Sequence, residues 1–198
     1  MFLAALSLSP TLEARLSDVQ KRVFELYDLT SALALPPIIP LHLSSRPHDP
    51  ELARRLCRGE RPSLTFSGFA DVDDYLVAAL APEREIEALR SCLGGRDEES
   101  GPCEDDPSAG SEDCPEDVPG ARSLARMARL PGVYLAYGEG RATLAGARDR
   151  MAGLPSARIQ ATSLVDIRLV LYPEIGPWWE AVAWEYVFEY RMRKRTAG

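Results

Sequence analysis

The strongest constraint on the fold is a period-two pattern near the C-terminal end. Val165, Ile167, Leu169 and Leu171 alternate with Asp166, Arg168, Val170 and Tyr172. After a Gly176-Pro177 break, Trp184, Tyr186, Phe188 and Tyr190 repeat the pattern. Alternation at this period puts one set of side chains on one face of an extended chain, so both segments are predicted as strands. Trp184, at the start of the second run, is expected in the core.

The N-terminal region carries the opposite signal. Residues 2 to 8 are almost wholly apolar and read as a buried strand, and Ser9-Pro10 offers a capping hydroxyl before a proline at the first helical position. Leu12, Leu16, Val19, Val23 and Leu26 then form a stripe predicting a helix to about Ser31. Pro36-Pro37 ends it and a strand resumes from Ile38 to Ser44. A short helix (50–57), a hairpin turning between Gly68 and Asp73, and a helix (83–93) follow. Beyond residue 120 the pattern gives a helix (121–130), a strand (132–137) and a helix (143–154). Strands and helices recur without regular alternation, so the predicted class is α+β with largely antiparallel sheets.

Charge narrows the functional classes. The chain has 198 residues, 27% charged, and a formal charge of −7, but the acid is concentrated between Arg96 and Asp117, with ten Asp or Glu against one Arg. The remaining 176 residues hold 20 acids and 22 bases, a balance of +2, so a polyanion is not repelled by the body of the protein. The stretch from Gly94 to Gly120 has almost no large apolar side chain and is predicted to be a disordered acidic insertion in a single bilobal domain. It lacks a calcium-loop pattern. No segment approaches a membrane span, so no membrane partner is expected. The apolar start has no cationic n-region, which argues against a signal peptide. Cys57, Cys92, Cys103 and Cys114 contain no Cys-x-x-Cys pair, so free thiols, a reducing cytoplasm and no metal or other cofactor are expected.

Histidine chemistry has only His42 and His48 to draw on. His42 and Ser44 alternate with Leu41 and Leu43 on the predicted strand and so share a face. His48, in the Arg46-Pro47-His48-Asp49-Pro50 turn, reads as a solvent-facing loop residue; as a stand-in for a second catalytic histidine it has the drawback of lying only six residues from His42.

The segment Pro36-Pro37-Ile38-Ile39-Pro40-Leu41-His42-Leu43-Ser44 resembles the first motif of the two-histidine phosphoesterase superfamily, which includes 2'-5' RNA ligases and 2',3'-cyclic phosphodiesterases. The resemblance implies two lobes, each with antiparallel strands, around a central cleft. Each lobe would bear a His-x-Thr or His-x-Ser strand, so that one imidazole serves as base and the other as acid. In Pro131-Gly132-Val133-Tyr134-Leu135-Ala136 the register of the second motif is present, but Gly132 stands in place of histidine and Tyr134 in place of threonine or serine. The resemblance therefore implies a divergent member that binds RNA ends or nucleotides with weak or no catalysis. His42 and Ser44 would be its catalytic residues, facing Gly132 and Tyr134 across the cleft, with Tyr134, Arg46 and Arg141 as phosphate contacts, and it is expected to be a monomer. The competing expectation is a non-enzymatic protein-interaction module that works through the acidic insertion. Arg191, Arg193, Lys194 and Arg195 form a basic tail expected to be solvated.

Overall fold

The computed structural model describes residues 1–59, 61–94, 120–138, 141–150, 158–159 and 161–193. The acidic insertion, with Cys103 and Cys114, lies outside the described residues, as do Lys194 and Arg195. Cys57 and Cys92 are free thiols.

The predicted mixed α+β class is the observed one. Strand β1 (Phe2–Leu8) is followed by α1 (Pro10–Tyr27), a short 3-10 turn (Thr30–Leu33), β2 (Ile39–Ser44) and α2 (Pro50–Arg58). Then come β3 (Leu64–Val72), β4 (Tyr75–Ala81), α3 (Glu83–Gly94), α4 (Ala121–Met127), β5 (Gly132–Tyr137), α5 (Arg141–Arg150), β6 (Arg158–Ile159), β7 (Ala161–Leu171) and β8 (Val182–Arg191). Two four-stranded sheets result, ordered β2-β1-β7-β8 and β5-β4-β3-β6. Every recorded strand pairing in them is antiparallel. Among the described residues no helix is long and apolar enough to cross a membrane.

Local chemistry moves several boundaries from where the pattern put them. Helix α1 stops at Tyr27 because Asp28 turns left-handed (φ 54°) and its N–H caps the Phe24 carbonyl at 2.8 Å. Aspartate tolerates that conformation better than most residues. At the other end Ser9 is the N-cap residue, but its hydroxyl makes no cap hydrogen bond, and Pro10 supplies the start. Gly68 does not turn the hairpin: at φ 141° it forms a bulge within β3, and the turn falls on Asp73 and Asp74, both with positive φ.

Both core clusters draw on both sheets. One joins Ala4 and Leu6 of β1 to Leu76, Val133 and Leu135, with Leu16 and Val23 of α1 packed in. The other joins Leu3, Ala5 and Ile167 to Tyr75, Val77 and Tyr134 beneath Leu124 and Met127 of α4. Trp178 is buried in this second cluster, whereas Trp184, expected in the core, is 38% exposed on the outermost strand β8. Alternation specified that Trp184 lies in a strand; position in the sheet decided that the strand is covered on few sides.

β2 and β5 each end the strand order of their sheets, and these two strands meet. The Tyr134 N–H donates to the Ile38 carbonyl at 3.0 Å. Arg90 of α3 clamps the junction, its Nη2 donating to the carbonyls of Pro40 (3.1 Å) and Leu130 (2.6 Å).

Candidate functional site

The site is built on β2. A bulge in its pairing with β1 sets Pro40 opposite Ala5 and His42 opposite Ala4. On the other side of β1, Ala4 faces Asp166 of β7. His42, Ala4 and Asp166 therefore form a row across three strands on one face of the sheet. The central member is small, and the space above it is bridged by the turn after β2. His48 Nδ1 lies 2.8 Å from Asp166 Oδ1, the His48 amide donates to Asp166 Oδ2 at 3.1 Å, and His48 Nε2 lies 3.0 Å from His42 Nδ1.

This overturns the reading of His48 as a solvent-facing loop residue, since it is 8% exposed and Asp166 is fully buried. Asp49 explains how the turn is held: its side chain accepts the Glu51 amide at 2.8 Å and caps α2, so Pro50 starts the helix with His48 folded back over the sheet. The alternating pattern of β7 had put Asp166 on the polar face. A charged residue between Leu164, Val165 and Ile167 in a strand flanked on both sides was the available signal.

The His42 ring, half-buried, lines a cavity of about 450 Å³ together with Ser44, Ser45, Glu87, Arg90 and Arg129. The size suits a nucleotide-sized ligand. The cavity is basic on its far side: Arg90, fixed by Glu87 and two carbonyls, is largely buried, while Arg129 is exposed. Arg90 Nε is buried without a hydrogen-bond partner. Past His42, the ring meets Gly94 at the end of α3, where an added Cβ would lie 3.7 Å from Nε2.

The remaining sequence candidates fall elsewhere. Gly132 and Tyr134 do not form the opposite wall; that wall comes from α3, α4 and Arg129. At Gly132 a Cβ would lie 2.2 Å from the Ala78 carbonyl oxygen, so β4 runs too close for any side chain. Tyr134 is fully buried and donates its hydroxyl to the Ser31 carbonyl at 2.6 Å. It is a core residue rather than a phosphate contact. Burial, with the neighbouring Tyr75 phenol adding to it and the Ser31 hydrogen bond partly offsetting it, holds the Tyr134 hydroxyl well above the usual tyrosine range. Arg46 is exposed and does not line the cavity, but its amide donates to Ser44 Oγ at 3.1 Å, which orients that hydroxyl. Arg141 opens α5, and its side chain lies outside the described residues. Asp166, Arg90 and Arg129 were not among the sequence candidates for the site, and His48 was weighed there as a stand-in for the missing second histidine and read instead as a loop residue.

The fold that carries this geometry has a counterpart among solved structures. The chain is similar to the crystal structure of TT0787 of Thermus thermophilus, with a TM-score of 0.52 and 14% identity over 98% of each chain. The likeness is one of fold. No family model and no curated protein matches the sequence.

Proposed function

We propose that this protein is a divergent relative of the two-histidine phosphoesterases that binds the phosphate of a nucleotide or RNA end in the cavity beside His42, with weak or no turnover. The observation that carries this reading is the convergence on one cavity of an imidazole, two serine residues and two arginines, in a chain whose strand segment Pro40 to Ser44 resembles the first family motif. Arg129 supplies the accessible cation for a phosphate oxygen, Ser44 a hydroxyl donor, and His42 a ring nitrogen able to exchange a proton near neutrality. Arg90 contributes positive potential from a fixed position.

Weak turnover follows from the wall opposite His42. In-line displacement at a cyclic phosphate places the attacking and leaving oxygens on opposite sides of phosphorus, and a second imidazole across the cleft would serve the far side. The wall facing His42, from α3, α4 and Arg129, supplies none, since the other histidine of the chain, His48, stands on His42's own side, a loss on the order of 10² to 10⁴ in rate.

The test is a titration of the full chain with a nucleoside 2'- or 3'-monophosphate, followed through the His42 ring signals. Saturable movement of His42, weakened roughly tenfold by Arg129→Ala, is expected. Unmoved His42 signals at millimolar nucleotide would refute the reading. Rapid hydrolysis of a 2',3'-cyclic nucleotide, abolished by His42→Ala, would refute the weak-turnover part.

A further inference from the structure

We propose that Asp166, His48 and His42 form a proton switch that converts Nε2 of His42 from hydrogen-bond acceptor to donor while the positive charge stays on buried His48. The switch deepens the phosphate-site reading, on which its use toward a ligand rests, but its operation can be observed in the protein alone.

An ionised carboxylate only accepts hydrogen bonds, so with Asp166 Oδ1 at 2.8 Å the proton of that contact belongs to His48 Nδ1. His48 Nε2 is then the variable position of its ring. Between it and His42 Nδ1, 3.0 Å away, there is room for one proton, so two arrangements exist. In the first, His48 is neutral, His42 Nδ1–H donates inward, and His42 Nε2 carries a lone pair. In the second, His48 is an imidazolium whose Nε2–H donates to His42 Nδ1, and His42 carries its proton on Nε2.

One proton separates the two states. A hydroxyl or water gives its proton to His42 Nε2: the O–H bond breaks and an N–H bond forms. The Nδ1–H bond of His42 breaks in turn and that proton moves to His48 Nε2. His42 is neutral before and after, and the charge ends 2.8 Å from Asp166.

The surroundings favour that distribution. Among the described residues, a cation on the His42 ring would share the cavity with Arg90 and Arg129, and with Glu87, which is paired to Arg90. A cation on His48 instead faces a fully buried carboxylate, whose own burial cost it offsets. His42 can thus take up a proton from an oxygen on its own side of the phosphate and stay neutral, which leaves the oxygen on the far side unserved.

The experiment is ¹⁵N NMR of the full chain labelled at histidine, with pH lowered through the histidine range. The expected result is that both His48 nitrogens become protonated, while His42 remains neutral and its proton moves from Nδ1 to Nε2. In Asp166→Asn the charge should transfer to His42, giving that ring the imidazolium pattern; in His48→Gln, His42 should take the charge itself. The proposal is overturned if wild-type His42 takes both protons while His48 stays neutral. That wild-type measurement decides the matter even where a variant fails to fold. A switch that operates as described in a protein whose His42 ignores nucleotide would sink the phosphate-site reading and leave the switch standing.

Discussion

β2 and β5 occupy equivalent places, each at the end of its sheet's strand order and each with a proline at its start (Pro40 within β2, Pro131 before β5), yet one carries polar chemistry and the other is core. The difference lies in what stands beside each strand. Next to β2, the small Ala4 leaves space that His48 fills with a hydrogen-bonded ring, and Asp166 anchors it. Next to β5, β4 runs so close that position 132 has no space for a Cβ, and Tyr134 fills the volume between Tyr75 and α4. A matching strand register is therefore not enough to make a matching site; the neighbouring backbone sets which side chains fit.

The sharpest way to break this comparison is to restore the missing motif. Gly132→His should destabilise the fold by about 3 kcal/mol, because the clash is with the Ala78 backbone, which cannot rotate away as a side chain can. Urea denaturation measures it, and a stable, fully folded variant would show that the close approach does not govern β5. Filling the corresponding space on the other strand is the next test. Ala4→Leu should displace the His48 ring and cost about 2 kcal/mol, with loss of the His42–His48 coupling in NMR.

A smaller effect separates core from site. Tyr134→Phe removes the hydrogen bond to the Ser31 carbonyl and should cost about 1 kcal/mol, with nucleotide binding unchanged. Weakened binding in that variant would return Tyr134 to the site. The smallest effect is alkaline. Tyr134 titrates higher folded than unfolded, so its contribution is intact below the unfolded value of 10.0 and is lost as pH rises beyond it. Stability measured from neutrality to high pH should decline above that value, and the decline should be shallower in Tyr134→Phe.

Much of the fold was legible because hydrophobic period is a local property. The strand-helix-strand opening, the four strands built on residues 64–72, 75–81, 161–171 and 182–191, and the α+β class all follow from spacing along the chain. His42 and Ser44 were legible as neighbours on one strand face for the same reason. His48 was not, since nothing in a proline-flanked turn states which way its ring will fold. Trp184 was misplaced because alternation reports a strand without reporting what covers it.

Residue identity and short-range periodicity were enough to give the helices, seven of the eight strands among the described residues and the absence of a histidine from the second motif. Only the tertiary structure decided that His42, His48 and Asp166, the last 118 residues beyond His48, share one hydrogen-bonded row, and that Arg90 and Arg129 close the cavity beside it. The physical reason is that a hydrogen bond needs its two atoms within about 3 Å, and for residues this far apart in the chain it is the order and register of the strands that bring them together.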